Sequence, residues 1–291
     1  MIVPFAAGGA TDILTRYIGQ EMNKTWKQPM LVENRSGAST QIASQMVATS
    51  KPDGYTLLMA ANPHTVNPSL FQNLPYDTRS AFAPVSLVTT GPLLVVAHPS
   101  LEVTTVRELI ELARKKPGLI NYASSGTGGP QHMAGELFKY LNKVNMVHVP
   151  FKGGGEAIPQ LLGGHVQVGF SNPISIIEHV RAGKLKSLAI TSIKRSENMP
   201  QVPTMAEAAN LPGFDVAVWF GFLVVAKTPE DIVTKLQTEI KRVIFTPKGK
   251  ELMEKDGYEP IGSTPAEFAD FIDREIVRWS ELVKVAKIKA D

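Results

Sequence analysis

Three glycine-rich turns carry the residues best suited to holding something. In the first to consider, a short apolar strand (Ile120 to Ala123) runs into Ser124-Ser125-Gly126-Thr127-Gly128-Gly129, and a helix starts near Pro130. Hydroxyls and unobstructed backbone N–H groups at the positive end of a helix favour an anion. The same order recurs at Ile2–Asp12, where Val3-Pro4-Phe5 leads into Ala7-Gly8-Gly9 and an apolar-periodic helix. It recurs again where His148-Val149-Pro150-Phe151-Lys152 leads into Gly153-Gly154-Gly155. Together the turns predict a small carboxylate ligand. Lys152 either pairs with that carboxylate or stays solvated at the rim.

Enzyme chemistry is harder to place on the same residues. Gly126-Thr127-Gly128-Gly129-Pro130-Gln131 starts like a dinucleotide turn but has Gln where the third glycine belongs. Gly169-Phe170-Ser171-Asn172-Pro173 starts like a nucleophile elbow and ends in proline. The six histidines (His64, His98, His132, His148, His165, His179) lie far apart, with no i, i+4 pair, which argues against a metal site. Ser124 or Ser125 with His132 is the remaining nucleophile–base pair, and it keeps a Ser/His hydrolase as an alternative. A histidine at a helix start also serves as a cap or as a hydrogen-bond donor to a ligand. Asp12 reads as the N-cap of its own helix, Arg35 as a bridge between loops, and Trp219 and Phe220 as core side chains. No cofactor is expected.

The totals agree with a binding role. The chain has 291 residues, 43% hydrophobic and 20% charged, and a net charge of +3 without a dense basic run, which argues against nucleic acid. It contains no cysteine, so disulfides and thiolate chemistry are excluded. No apolar run reaches the ~18 residues of a membrane span. The chain opens almost inside its first strand and shows no basic-then-apolar leader. The expectation is an upstream piece that was trimmed or mis-started.

Strands alternating with short helices predict a mostly parallel sheet with ligands at the carboxyl ends of its strands. Helical spacing is clear in Ile13, Leu14, Tyr17, Ile18 and Met22, and in the last helix through Phe268, Phe271, Ile272, Ile276, Trp279 and Leu282. Capping boxes are predicted at Thr105–Glu108 and Thr204–Glu207, a cap at Thr228, and the start of the last helix at Thr264-Pro265-Ala266-Glu267. Met30–Asn34, Phe82–Val88, Leu93–Ala97 and Val216–Val225 read as strands. The runs around residues 92 and 218 suit a chain crossing between lobes. This gives a discontinuous lobe, 1–92 with 218–291, and an inserted lobe, 93–217.

Several segments resemble one family. They are Val3–Asp12, Val32-Glu33-Asn34-Arg35, Pro52-Asp53-Gly54-Tyr55, Ser124–His132, His148–Gly153, Pro200–Thr204 and Trp219-Phe220-Gly221, in order from Ile2 to about Ile288. The chain is thereby similar to the Bug family, the substrate-binding proteins of tripartite tricarboxylate transporters. The resemblance implies an α/β, two-lobed, type II periplasmic-binding-protein-like fold with two crossing strands and a central ligand cleft. It also implies a periplasmic location, a signal peptide upstream, a small organic acid as ligand, and integral membrane transporter subunits as partners of a monomer. A ligand-binding sensor uncoupled from uptake is the other role such a protein can fill. In the family, two loops hold the ligand carboxylate, partly through water. Their counterparts are Phe5, Ala7, Gly8, Gly9, Thr11 and Asp12, and Ser124, Ser125, Gly126, Thr127 and Gly128. Asn62, His132, Lys152 and Asn172 are expected on the rest of the molecule. Two departures stand out. Ser36-Gly37-Ala38-Ser39-Thr40 replaces the usual Pro-Gly-Ala-Gly-Gly, and Ser171 stands where an Asp is common.

Overall fold

The computed structural model describes residues 1–151, 154–197, 199–255 and 257–289. The first elements are β1 (Ile2–Val3), α1 (Ala10–Trp26), β2 (Glu33–Asn34), α2 (Gln41–Ala48), β3 (Leu57–Ala61), α3 (Pro63–Leu70) and β4 (Phe82–Pro92). Next come β5 (Leu94–Ala97), α4 (Val106–Lys115), β6 (Asn121–Ser124), α5 (Pro130–Asn142), β7 (Val147–Pro150) and α6 (Gly154–Leu162). They continue with β8 (Val168–Ser171), α7 (Pro173–Arg181), β9 (Lys186–Ile190) and α8 (Met205–Ala209). The chain ends with β10 (Ala217–Val225), α9 (Glu230–Ile244), α10 (Pro247–Lys255), β11 (Glu259–Pro260) and α11 (Pro265–Ala286).

The chain forms two compact units. One is Met1–Thr90 with the chain from Trp219 on, and the other is Gly91–Val218. The first holds a six-stranded sheet in the order β11-β4-β10-β3-β1-β2. Its core joins Leu58, Trp219 and Leu223 from strands to Phe268, Ile272 and Ile276 from one face of α11. The second holds a five-stranded sheet in the order β7-β6-β8-β5-β9, packed through Leu94, Val96, Leu161, Ile176 and Ile190.

Neither sheet is mostly parallel. β1, β2 and β3 are parallel, as are β6, β7 and β8, but β10 runs antiparallel to β3 and β5 runs antiparallel to β8 and β9. The reason is topological. A strand that arrives from the other unit, rather than through a β-α-β crossover, is free to enter with reversed direction.

Several local expectations change. Phe82–Pro92 is one continuous strand, with Leu94–Ala97 following almost at once. Met30–Asn34 shrinks to Glu33–Asn34, because its partner β1 offers only Ile2 and Val3 to pair with. Both predicted capping boxes are present, and the last helix, starting at Thr264 as expected, carries a third with Glu267. Thr228 does not cap α9, since its hydroxyl donates to the Val225 carbonyl and Pro229 holds the cap position. In α5, Met133 and Phe138 are buried, while Leu141 is 40% exposed.

Candidate functional site

The first-unit turn is closed by its own side chains. α1 starts after Gly9, which adopts an extended conformation and provides no side-chain cap. Asp12 therefore sits in the first turn rather than at the N-cap, and its Oδ2 accepts the Gly8 N–H at 2.9 Å. Arg16 donates to the same carboxylate from one turn along, with Nε 3.1 Å from Oδ2 and Nη2 3.0 Å from Oδ1. Asn34 donates from Nδ2 to Asp12 Oδ1 (2.9 Å) and to the Phe5 carbonyl (3.1 Å). The Arg16 hydrogen bond, then the Gly8 amide and Asn34, hold the Asp12 carboxyl well below the usual range, at about 2. The carboxylate stays ionised, but Arg16 neutralises it, which reduces its repulsion of a ligand anion. The Gly8 amide is correspondingly taken. Ala7, Gly8 and Gly9 are exposed, and Gly8 has φ +86°, which glycine adopts without strain. Thr11 is buried.

Arg16, not Arg35, is the residue that ties the loops together, through Asp12 and through Asn34 Oδ1 at 2.9 Å. Arg35 pairs with Glu33 in an exposed ion pair of 2.9 Å. The i, i+4 spacing of Asp12 and Arg16 on a helix was the sequence signal for this contact. Asn62, expected at a ligand, follows β3, and its Oδ1 accepts the Trp219 N–H at 3.2 Å. Trp219 and Phe220 are core side chains, at 0% and 6% exposure.

In the second unit, β6 ends at Ser124, and the loop turns through Gly126 (φ +133°) and Gly128 (φ +79°) into α5. The loop rests on a column of rings. His132 stacks on His148 with ring centroids 4.0 Å apart, and Tyr122 also stacks with His148, at 5.1 Å. Gly128 N–H donates to His132 Nδ1 (3.1 Å), so that nitrogen carries no proton. Ser124 Oγ accepts the Gly126 N–H (3.1 Å) and lies 2.6 Å from His148 Nε2. Tyr122 OH and Lys139 Nζ each reach Glu136 Oε1 at 2.6 Å. The Ser124–His132 pair of the alternative hydrolase reading is thus not formed, and Ser124 meets His148 instead. Ser124 is 1% exposed and already accepts an amide, so it serves to shape the loop.

Ser124, Ser125 and Asn172 come together at one pocket of about 130 Å³, entirely within the second unit. Gln131, Ser171 and Ser175 add polar groups to its lining, and Ala157, Leu161 and Phe170 add apolar ones. Ser125 Oγ donates to Gln131 Oε1 at 2.9 Å. Gly126, Thr127 and Gly128 continue the loop, and Lys152 lies outside the described residues. α5 begins with Gly129 as cap, Pro130 in the first turn, no side-chain cap and no acidic residue there. α4, α8 and α11 each carry a full capping box. The positive end of α5 thus carries neither a side-chain cap at Gly129 nor an acidic residue in its first turn, a setting that suits an anion. No group of three His, Cys, Asp or Glu among the described residues could hold a metal, and no helix among them is long and apolar enough to cross a membrane.

The family profile of the tripartite tricarboxylate transporter family receptor matches residues 14–288. The chain belongs to this receptor family. Three solved structures resemble it over nearly their whole length. Rpa4515 of R. palustris with adipate is 33% identical, with a TM-score of 0.89 over 100% of this chain and 97% of its own. The periplasmic binding protein BugD is 31% identical, with a TM-score of 0.87 over 100% and 98%. MatC from Rhodopseudomonas palustris with bound malate is 33% identical, with a TM-score of 0.86 over 97% of each chain. The α/β periplasmic-binding-protein fold expected from the motifs is the fold this receptor family has. Its members are binding receptors rather than enzymes.

Proposed function

We propose that this chain is a periplasmic receptor that captures a small carboxylate, without catalysis, and delivers it as a monomer to the membrane subunits of a tripartite tricarboxylate-type transporter. The observation that carries the reading is the Ser124–Gly129 loop, which leads a helix end without side-chain cap or early acidic residue to a small pocket of mixed polar and apolar lining. The adipate and malate held by related receptors support a carboxylate as the ligand. The periplasmic character of BugD supports the location. A net charge of +3 without a basic run supports a role without nucleic acid.

Residues of both loops take part in this reading: Phe5, Ala7, Gly9, Thr11 and Asp12 from one, and Ser124 to Gly128 from the other, joined by Asn62, His132, Lys152 and Asn172. The Gly8 amide contributes only by leaving Asp12. The lobe limits of the reading, 1–92 with 218–291 and 93–217, draw support from compact units that change at Thr90/Gly91 and Val218/Trp219.

A ligand carboxylate competes with Gln131 Oε1 for the Ser125 hydroxyl hydrogen. Ser125→Ala combined with Thr127→Val is expected to weaken binding of the best acid by roughly 1–3 kcal/mol, the cost of hydrogen bonds to a charged group. Titration calorimetry measures it, and unchanged affinity removes these side chains from the site.

A further inference from the structure

Two segments of the second unit meet at the far end of α5 from the Ser124–Gly129 loop. Residues 114–119 close α4 and lead to β6, and residues 139–147 close α5 and lead into β7. Three hydrogen bonds hold them together. Arg114 Nη2 donates to the Asn142 carbonyl at 3.3 Å, Gly118 N–H to the Asn145 carbonyl at 2.9 Å, and Val147 N–H to the Ile120 carbonyl at 2.9 Å. The two segments contain five cations, Arg114, Lys115, Lys116, Lys139 and Lys143, and no acid. They also expose Leu119 by 71% and Val147 by 42%. β6 and β7 are parallel with Asn121 opposite Val147, so the two-residue alternation of a strand puts Leu119 and Val147 on one face. Further along that face Ala123 joins Ala157 and Leu161 of α6 in the core, whereas Leu119 and Val147 stay uncovered.

The charge at this end is more than local structure needs. Lys139 pairs with Glu136 at 2.6 Å, and Arg114 is committed to the Asn142 carbonyl. Lys115, Lys116 and Lys143 are exposed, with no carboxylate in either segment to pair with. The negative ends of α4 and α5 lie here too, worth about half an elementary charge each. Five cations exceed what these ends and the acids one turn back, Glu111 and Glu136, neutralise. Residue type then selects the partner. Protein interfaces favour arginine, whose planar fork matches a fixed carboxylate, and are depleted in lysine. The cations left over here are all lysines, compact charges on flexible stems that need no fixed partner geometry. A fluid layer of phosphate headgroups is such a partner, and its boundary with the hydrocarbon accepts aliphatic side chains.

We infer that this end of the second unit rests on an anionic phospholipid surface, with Lys115, Lys116 and Lys143 on headgroup phosphates and Leu119 and Val147 at the headgroup boundary. The inference goes beyond the carboxylate-receptor reading and stands without it. α5 has 13 residues and spans about 20 Å, so lipid at its C-terminus leaves the Ser124–Gly129 loop at its other end uncovered. On the receptor reading, a chain held this way searches a surface rather than a volume for its membrane subunits.

Sedimentation of the full chain with lipid vesicles tests this. Vesicles of mixed phosphatidylglycerol and phosphatidylcholine are expected to carry the protein down, less so as salt rises, and phosphatidylcholine alone is expected to leave it in solution. Lys115→Glu combined with Lys116→Glu and Lys143→Glu is expected to weaken binding by more than about tenfold, given what each lysine near such a surface contributes. Leu119→Ser is expected to weaken it at every salt concentration. Lys51→Glu combined with Lys255→Glu and Lys284→Glu alters exposed lysines of the first unit, makes the same change in net charge, and is expected to leave most of the binding in place. Circular dichroism checks folding, and if the first triple variant does not fold, Lys115→Glu and Lys143→Glu singly take its place. Equal loss in the two sets overturns the inference, because net charge alone then explains it. Absence of binding to the anionic vesicles overturns it as well. Polyglutamate binding without vesicle binding assigns the patch to an acidic protein instead, and a dimer that Leu119→Ser abolishes assigns it to a second copy of the chain. Each of these failures leaves the carboxylate reading untouched.

Discussion

His64 shows how one side chain can set a pH limit on the first unit. It lies in the first turn of α3, 2% exposed, with its ring edge-on to Phe82 at 5.1 Å and no hydrogen-bond partner on either nitrogen. Burial pushes its pKa down from the ordinary 6.5 to about 4. The unfolded chain therefore takes up the proton first as pH falls. Stability is full above the unfolded value and is lost as pH drops from 6.5 towards 4. Replacing an unsatisfied ring by a hydrocarbon of similar reach removes that penalty. His64→Leu is expected to match or exceed wild-type stability at pH 7 and to lose less of it by pH 4.5. Urea unfolding at the two pH values checks this, and parallel losses in both proteins would refute it.

Elements show where local signals speak and where they stop. The Thr-x-x-Glu boxes are legible because the cap and its reciprocal partner lie three residues apart, within one turn. α3 and α7 are not legible in the same way. Each starts with a proline directly after Asn62 or Asn172, and that pair reads as a turn ending a strand. Proline at the first helical position instead costs no intrahelical bond. Gly221 in β10 makes the tertiary demand on an element explicit. A Cβ there would meet the Phe268 ring of α11 and lie 2.9 Å from the Ser86 carbonyl. No periodicity announces such a contact across more than 40 residues. Gly221→Ala is expected to destabilise the first unit by ~2 kcal/mol, within the range for overpacking a filled core. A lowered urea midpoint with an unchanged slope would show it, and an unchanged midpoint would mean that the Phe268 ring moves aside freely.

At the scale of the whole molecule, binding and folding are linked. A ligand that binds only the folded chain stabilises it by about 2.7 kcal/mol at one hundred times its dissociation constant. A thermal-shift screen over small carboxylic acids is therefore expected to find acids that raise the melting point in a concentration-dependent way. A screen with no such acid would count against the receptor reading. The same linkage separates binding from a Ser124-dependent hydrolase, which needs turnover rather than stabilisation.

Taken by itself, the order of residues determined which turns are glycine-rich, where three helices are capped, and which family the motifs resemble. These are properties of neighbours in sequence, set by local sterics and by hydrogen bonds reaching one turn. Tertiary structure alone decided which distant side chains occupy those turns. The β6–β7 register sets Tyr122 opposite His148, so His148 rather than His132 reaches Ser124. The β1–β2 register sets Val3 opposite Asn34, so Asn34 meets the Asp12 carboxylate that takes the Gly8 amide. Strand register is a long-range choice made by the buried faces of whole sheets, and no short window of residues contains it.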